Sequence, residues 1–381
     1  MDSAEKSITE LGLLNSATTV LNKGDIIISA RGTVGALAQI AVPMAFNQSC
    51  YGIRGREGLS DTNFIYYAIK GAVTDLQHIA HGAVFSTITK NTFSLISIPL
   101  PPLPEQRRIA HVLGTLDDKI ENNRKTAKTL EAMAQAIFKS WFVDFDPIRA
   151  KMAGESRTSI CKRLKLTPEI LDLFPDRLMD SELGEIPEGW GVDSIYLIAD
   201  VIYGAPFDSS KFNAQEVGEP LIRIRDLTTE IPRIWTTETH PKGYKVKRGD
   251  IVVGMDGEFR AHLWGGAEAL LNQRVCVFAP KQSISSLFVR NSIAALLAHV
   301  EATETATTVI HIGKNDIDLF RVIIPNNNVL HVFNRTYQPL YDAIVRAKWE
   351  TNKLDDTRDT LLPKLISGEI RVPEAEHLLK I

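Results

Sequence analysis

The sequence predicts an α+β protein with two globular units of mixed, irregular sheet, separated by two long helices that pair as an antiparallel coiled coil. Three observations predict this fold. The chain contains an internal duplication, each copy carries a β-branched strand after a Gly-Asp turn, and a heptad-spaced helical pattern follows each copy. With 381 residues, of which 44% are hydrophobic, the chain is long enough to form two cores.

The duplication rests on three matches in nearly one register. They are Gly-Asp at 24–25 and 249–250, Asn-Gln at 47–48 and 272–273, and Lys-Asn at 90–91 and 314–315, with offsets of 225, 225 and 224. Each copy then continues into an apolar strand pattern that ends in proline, at 96–99 and 322–325, and into a helical pattern. Matches in so constant a register are more than chance produces, so we expect two copies of one fold.

Each helical pattern spans about 33 residues, which corresponds to a helix on the order of 50 Å long. Apolar residues alternate at spacings of four and three, as in a coiled-coil seam. The seam includes Ile109, Leu113, Leu116, Ile120, Leu130 and Ile137 in the first helix, and Leu340, Ile344, Leu354 and Leu361 in the second. Asn123 lies in this seam and either fixes its register or faces water, and Pro363 is expected to kink or end the second helix.

These patterns divide the chain into six segments. They are a first domain at 1–103, a long helix at 104–145, a linker with proline breakers at 146–189, a second domain at 190–326, a second long helix at 327–370 and a tail at 371–381. The second domain has about 60 residues before its Gly-Asp turn and the first has only about 23. We therefore expect the first domain to be short at its N-terminus.

Composition restricts the classes of function. A net charge of −3 disfavours a protein that binds nucleic acid by bulk charge, so any basic surface must be local or completed by a partner. The three cysteines show no Cys-x-x-Cys spacing, which fits a reducing cytoplasm. The sequence shows no signal-peptide pattern at its N-terminus and no apolar run long enough to span a bilayer, so we predict a cytoplasmic protein that does not bind membranes.

Motifs for catalysis are missing from the sequence. The glycines at 32 and 35 are not followed by the Lys-Ser/Thr of a phosphate-binding loop, and no Asn-Pro-Pro-aromatic motif of amino-methyltransferases occurs. Asp256 and Glu258 are not followed by the lysine of a nuclease site, and we interpret them as solvated turn carboxylates. The sequence therefore predicts no catalytic residue, no metal site and no cofactor in this chain.

Polar loops at repeat-equivalent positions remain as candidate binding sites. Their Arg, Lys, Ser, Thr and His side chains are suited to contact phosphates or base edges, although ordinary turn chemistry is the alternative for each residue. The candidates are Arg31, Thr33, Ser86, Thr87, Lys90, Arg223, Arg225, Arg260, His262 and Lys314. Arg223 and Arg225 alternate in sequence and are expected on one strand face, where a solvated face explains them equally well.

Several long runs resemble the specificity subunits of type I restriction-modification systems. The runs at 99–110 (PLPPLPEQRRIA), 116–120 (LDDKI) and 138–147 (FKSWFVDFDP) resemble the central conserved region of that family. The run at 361–370 (LLPKLISGEI) resembles its distal conserved region, and 183–190 (LGEIPEGW) resembles the usual start of a target recognition domain. Together with the duplication, the resemblance covers nearly the whole chain.

The resemblance implies a non-catalytic subunit with two target recognition domains, each reading one half of a bipartite site in double-stranded DNA. It implies that the helices set the spacing and dock methyltransferase subunits, and that a restriction and translocase subunit joins the complex. S-adenosylmethionine, ATP and Mg²⁺ would then belong to the partners. The short first domain departs from the family pattern, and the alternative function is an assembly scaffold with a degenerate first recognition domain.

Overall fold

The computed structural model describes residues 1, 3–4, 6–81, 87–303 and 310–379, without the side chains of 74–81. Two compact units are present. The first contains residues 1–121 and 353–381, and the second contains residues 122–352. No helix in the described ranges is both long and apolar enough to cross a membrane.

The helices and strands follow one another in mixed order along the chain. The helices are α1 (Glu10–Leu14), α2 (Thr62–His81), α3 (Lys90–Ser94), α4 (Leu103–Phe142), α5 (Asp146–Met152), α6 (Arg157–Leu164), α7 (Pro168–Leu171), α8 (Ser286–Thr303), α9 (Lys314–Asp318), α10 (Asn327–Ser367) and α11 (Val372–Leu379). The strands are β1 (Val20–Leu21), β2 (Ile26–Ser29), β3 (Leu37–Gln39), β4 (Met44–Ala45), β5 (Cys50–Ile53), β6 (Leu178–Ser181), β7 (Gly184–Pro187), β8 (Gly191–Ser194), β9 (Ala199–Tyr203), β10 (Phe212–Asn213), β11 (Glu219–Ile222), β12 (Trp235–Thr236), β13 (Lys245–Val246), β14 (Ile251–Gly254), β15 (Ala261–Leu263), β16 (Ala269–Leu271), β17 (Val275–Pro280) and β18 (Arg321–Ile324).

The first unit is built around the antiparallel sheet β3-β2-β5. Ile26 and Ile28 of β2 are fully buried, as expected for alternate β-branched residues on the inner face of a sheet. Asp25 precedes the strand, and its carboxylate accepts hydrogen bonds from the backbone N–H of Asn22 at 2.8 Å and from Arg54. The Arg54 guanidinium holds the pKa of Asp25 below its usual range. The Gly-Asp turn therefore fixes the point where β2 begins.

The second unit repeats this sheet and extends it. Its order is β15-β14-β17-β9, with a five-stranded sheet, β10-β12-β11-β16-β13, beside it. All four residues of β14 are buried. The carboxylate of Asp250 accepts from the backbone N–H of Lys247 at 2.8 Å, which reproduces the Asp25 turn at an offset of 225.

The strands β8 and β9 of the second unit have no counterpart in the described part of the first unit, and this explains why one predicted strand is not formed there. β9 pairs with β17, and β8 pairs with β18. Among the described residues of the first unit, neither β8 nor β9 has an equivalent. The sequence predicts a strand like β18 at residues 96–99, but they form no strand and pair with no other strand. A strand requires a partner for its backbone N–H and C=O groups, and β18 has one only because β8 lies beside it.

The two long helices bury the predicted seam. In the first unit, Ile109, Leu113 and Leu116 of α4 pack with Leu361 and the half-buried Leu354 of α10. Ile120 is buried as well. In the second unit, Ile344 of α10 is fully buried, and Leu130, Ile137 and Leu340 pack against the same cluster. The start of α4 thus pairs with the end of α10, and the end of α4 with the start of α10, as in an antiparallel pair.

Polar side chains of α4 and α10 contact one another in each unit. In the first unit, Arg358 of α10 donates to the carboxylate of Asp117 of α4 at 2.8 Å, and the Tyr67 hydroxyl of α2 donates to the other oxygen at 2.9 Å. In the second unit, Nδ2 of Asn123 donates to Oε2 of Glu350 at 3.5 Å. Asn123 is therefore half-buried and contacts the partner helix at an exposed point of the seam.

Pro363 does not end the second long helix, and the C-terminal tail contains a helix. α10 does not end at Pro363 but continues to Ser367, because the buried residues Leu362 and Leu365 hold its last turn. The tail at 371–381 contains α11, whose Val372 and Ala375 are fully buried.

The segment expected as a linker at 146–189 is folded. It contains α5, α6, α7 and the hairpin β6-β7, and its side chains Ile148, Ile160 and Phe174 are buried in the core of the second unit. Pro147 and Pro168 occupy the first turns of α5 and α7. Proline at that position starts a helix, because its missing N–H has no partner there in any case.

Truncation of Leu116 tests the helix seam. The side chain is 1% exposed within the core of the first unit, so Leu116→Ala removes buried methyl groups and leaves a cavity. We expect the free energy of unfolding to fall by about 2–5 kcal/mol in chemical denaturation. Lys119→Ala, an exposed position on the same helix, is the control and should change the stability little. Equal stability of both variants would contradict the seam.

Candidate nucleic-acid interface

A loop follows the central strand of each unit and is held by backbone hydrogen bonds. In the first unit, the N–H of Ala30 donates to the carbonyl of Ser49 at 2.7 Å, and the carbonyl of Ala30 accepts from Ile88 at 3.0 Å. In the second unit, the N–H of Met255 donates to the carbonyl of Arg274 at 2.8 Å, and its carbonyl accepts from Ile312 at 2.9 Å. We call these paired bonds the backbone clamp. The clamp is the same in both units.

Each clamped loop turns at an equivalent glycine. Gly32 has φ +72° and Gly257 has φ +78°, and a Cβ at either position would meet no atom within 4 Å. A lack of space for a side chain is therefore not the reason for glycine at these two positions. The left-handed backbone conformation is what favours glycine at this point of both loops.

Side chains around the clamp differ between the two units. At the same three positions the first unit carries Arg31, Ser49 and Thr87, whereas the second carries Asp256, Arg274 and His311. An arginine in one loop thus corresponds to an aspartate in the other. The two units present different hydrogen-bonding groups on one backbone framework.

Asp256, Arg274 and His311 form a cluster in the second unit. Oδ1 of Asp256 lies 2.6 Å from Nδ1 of His311 and 3.5 Å from Nη1 of Arg274. Nη1 of Arg274 lies 3.2 Å from Nδ1 of His311. The interpretation of Asp256 as a solvated turn carboxylate is therefore wrong, because its side chain is engaged on two sides.

Sequence reasoning missed Arg274 and His311. A signal for both was present in the duplication. Arg274 directly follows the repeated Asn-Gln pair, and His311 directly precedes Ile312, the counterpart of Ile88. Projecting every loop residue through the offset of 224–225 would have identified them.

The predicted residues of the first unit lie around its loop. Arg31 and Thr33 are exposed on the turn itself, and Arg31 forms no ion pair with any described residue. Thr87 is half-buried beside Ile88, and Lys90 is exposed in the first turn of α3. Ser86 lies outside the described residues.

Two predicted cations of the second unit are paired with carboxylates. Arg260 forms an ion pair with Glu301 of α8 and holds the pKa of that carboxyl below its usual range. Nζ of Lys314 lies 2.6 Å from Oδ2 of Asp318, one turn further along α9. Any contact with a ligand anion would compete with these internal partners.

The expectation that Arg223 and Arg225 share a strand face is wrong. β11 ends at Ile222, and residues 224–226 form a 3₁₀ turn. The buried carboxylate of Asp226 accepts from the backbone N–H of Arg223 at 3.0 Å and from its Nε at 3.2 Å. This local hydrogen bonding ends the strand, so Arg223 is tied to Asp226 while Arg225 is exposed.

His262 lies on β15 beside charged groups. Burial lowers its pKa to about 4, and the positive charges of Lys348 and Arg290 act in the same direction. His262 is therefore uncharged at neutral pH. As a candidate contact, it offers hydrogen bonds and no positive charge.

An ion-pair network lies next to His262 in the second unit. Glu131 of α4 accepts from Nη2 of Arg290 of α8 at 2.9 Å and lies 3.9 Å from Nζ of Lys348 of α10. Lys348 also pairs with the buried carboxylate of Glu230, which accepts from the backbone N–H of Gly265 at 2.9 Å. Burial raises the pKa of Glu230 despite Lys348. The network ties both long helices to the sheets of this unit.

Among the residues that the structure describes, no group of three or more His, Cys, Asp or Glu side chains is placed to hold a metal ion. The arrangement around the two clamps offers exposed donors and acceptors on rigid loops. Such groups suit recognition of a polar surface by hydrogen bonding.

Comparisons with known proteins agree with this geometry. A family model described as "Type I restriction modification DNA specificity domain" matches residues 2–132. The specificity subunit of type I restriction enzyme MjaIX from Methanocaldococcus jannaschii is 26% identical over 97% of this chain and 83% of that protein. The HindI specificity subunit of Haemophilus influenzae is 26% identical over 76% of this chain and 72% of that protein. The chain is similar to these specificity subunits over most of its length.

A solved structure supports the fold of this chain. The crystal structure of the type I restriction-modification S subunit from M. genitalium aligns with a TM-score of 0.51 at 16% identity, covering 91% of this chain and 83% of the other.

The pH dependence of stability tests the setting of His262. Its folded pKa of about 4 lies below the ordinary value of 6.5, so the unfolded chain binds a proton first as the pH falls. The His262 imidazole therefore does not affect the free energy of unfolding above about pH 7, and it lowers that free energy progressively between about pH 6.5 and 4. We expect His262→Gln to lose less unfolding free energy than the wild type between pH 7 and 5.

The measurement is chemical denaturation at the two pH values. His331→Gln, an exposed histidine of the same unit, is the control and should follow the wild type. An unchanged pH dependence in His262→Gln would count against a half-buried, uncharged His262.

Proposed function

We propose that this chain is the DNA-sequence-reading subunit of a type I restriction-modification complex, and that each unit reads one half of a bipartite site in double-stranded DNA. The observation that carries the proposal is the pair of backbone clamps. One framework holds Arg31, Ser49 and Thr87 in the first unit and Asp256, Arg274 and His311 in the second. Equal loop positions with unequal donors and acceptors suit two different half-sites.

The charge distribution supports reading by local contacts rather than by bulk attraction. The chain has a net charge of −3, and two of the candidate cations, Arg260 and Lys314, have internal carboxylate partners. A protein that neutralised many phosphates alone would need a more basic face. In the proposed complex, partner subunits therefore provide much of the phosphate contact, and this chain provides base contacts.

The candidate contacts of the first unit are Arg31, Thr33, Ser86, Thr87 and Lys90. Those of the second unit are Arg223, Arg225, Arg260, His262 and Lys314, to which we add Asp256, Arg274 and His311. Arg31 is exposed on the clamped loop and has no ion pair with any described residue. It is the residue of the first unit on which the proposal depends most.

In this proposal the helices set the spacing between the half-sites and dock methyltransferase subunits, and a restriction and translocase subunit joins through the complex. S-adenosylmethionine, ATP and Mg²⁺ are bound by those partners and not by this chain. The exposed face of α4 supports docking. Ala132, Met133 and Ala136 lie on one helix face and are all exposed, so a partner could approach the helix backbone closely.

One observation favours the alternative of an assembly scaffold. In the described part of the first unit nothing corresponds to β8 and β9, and an open apolar pocket is lined there by Tyr51, Ile53, Ile69, Phe93 and Ile98. A recognition domain that lacks these strands could support the helices without reading DNA. The methylation pattern separates the two functions.

The decisive measurement is the position of methyl-adenine across a host genome after co-expression with a cognate methyltransferase subunit. We expect a bipartite motif. Arg31→Ala with Thr33→Ala should relax one half by about tenfold or more in base preference, and should leave the other half unchanged. A motif for the second half alone in the wild type would favour the scaffold function, and no motif at all would contradict the proposal.

Docking on α4 is tested by crowding its exposed face. Ala136→Arg places a long charged side chain in the proposed contact, and we expect the amount of co-purified methyltransferase subunit to fall at least tenfold. Lys119→Arg, which keeps the charge at another exposed position of α4, is the matched control. Full co-purification with Ala136→Arg would exclude this face as the docking surface.

A further inference from the structure

Arg274 has an unusual backbone conformation for its residue type. Its φ is +68°, in the left-handed region that residues with a Cβ rarely adopt. It lies in the turn between β16 and β17, and its carbonyl is part of the backbone clamp. Glycine or asparagine would fit this conformation more easily. Its counterpart Ser49 does not have a positive φ. Residues in such conformations concentrate at functional sites, so Arg274 is a candidate for a functional role.

The guanidinium of Arg274 contacts neighbouring side chains through Nη1, and its Nε and Nη2 atoms face solvent. Nη1 lies 3.5 Å from Oδ1 of Asp256 and 3.2 Å from Nδ1 of His311, and Asp256 and His311 contact each other at 2.6 Å. The side chain is nevertheless 56% exposed. Nε and Nη2 form no hydrogen bond with any described residue. The edge made by these two nitrogens is therefore presented to solvent, while Nη1 faces Asp256 and His311.

A pair of N–H donors on one guanidinium edge matches one acceptor pattern of DNA. In the major groove, guanine presents O6 and N7 side by side, and arginine binds them with two parallel hydrogen bonds. A phosphate would also accept such bonds. However, the carboxylate of Asp256 beside Nη1 repels a phosphate and offsets the charge of the guanidinium. The carboxylate of Asp256 repels the uncharged edge of a guanine less than it repels a phosphate.

We propose that Arg274 is a specificity-determining residue of the second unit, and that its guanidinium reads a guanine in the half-site of that unit. Asp256 and His311 are positioning residues that fix the guanidinium plane. The inference rests on the proposed function and adds the base that this unit reads. The first unit has Ser49 at this position, so it does not make the same contact.

The test uses the complex of this chain with its methyltransferase subunit. Binding is measured against duplexes in which each base pair of the wild-type motif is replaced in turn. Arg274→Lys keeps the positive charge but loses the planar pair of donors. We expect it to lose about tenfold to hundredfold preference for guanine at one position of one half-site, with the other half unchanged.

Two further variants separate base reading from folding. Arg274→Gly removes the side chain at a position whose backbone conformation suits glycine, so it should fold and show the same relaxed position. Asp256→Asn should weaken the preference at that same position and no other, with unchanged thermal unfolding. Arg233→Lys, an exposed arginine of the second unit, is the control and should keep the full motif.

The outcomes are distinguishable. Unchanged preference in both Arg274 variants overturns the inference and leaves the proposed function intact. A uniform loss of affinity for all sequences also overturns it, because that result indicates a phosphate contact. A wild-type complex without any sequence preference overturns both the inference and the proposed function.

Discussion

The backbone clamp is the interaction on which the proposed reading surface depends. It uses only main-chain groups of Ala30 and Met255, so it forms whatever side chains the loop carries. Each clamp bond contributes a modest net stability, about 0.5–1.5 kcal/mol, yet leaving either group unpaired in a buried setting would cost more. Because Ile28 and Val253, each two residues before the clamped residue, are fully buried, the clamped loop extends directly from the core. The loop is therefore positioned by the fold, and its side chains are free to differ.

Charged residues serve mainly internal purposes in the second unit. Exposed pairs such as Lys314 with Asp318 contribute little to stability. Glu230 with Lys348 is different, because Glu230 is buried and its desolvation offsets much of the attraction. A buried pair of this kind fixes geometry more than it adds stability. Here it links α10 to the sheets of the second unit, and the neighbouring Glu131 adds α4 to the same network. The position of the helix pair in this unit is thus set by charge as well as by apolar packing.

The sequence predicted those features that arise from local patterns. Heptad spacing placed α4 at 104–145 and α10 at 327–370, against observed bounds of Leu103–Phe142 and Asn327–Ser367. The Gly-Asp repeat located β2 and β14. Failures occurred where a distant or competing contact decides the structure. The strand ends before Arg223 because the backbone N–H of Arg223 donates to the carboxylate of Asp226. Residues 96–99 are unpaired because the described part of the first unit contains no strand equivalent to β8, the partner of β18. The Asp256 cluster joins residues up to 55 positions apart, so no local pattern revealed it.

The relation between the two loops bears on how a duplicated protein would present two different surfaces for the proposed half-sites. If both copies had kept the same side chains, two equivalent frameworks would favour two equal half-sites. Here Arg31 corresponds to Asp256, and Ser49 corresponds to Arg274, so the charged groups have changed sign or position while the clamp and the glycine turn have not. The exposed guanidinium therefore extends from the loop itself in one copy and from the turn beside it in the other. Divergence of recognition on this framework requires only surface substitutions, which cost little stability. The constancy of the backbone is what allows the side chains to diverge.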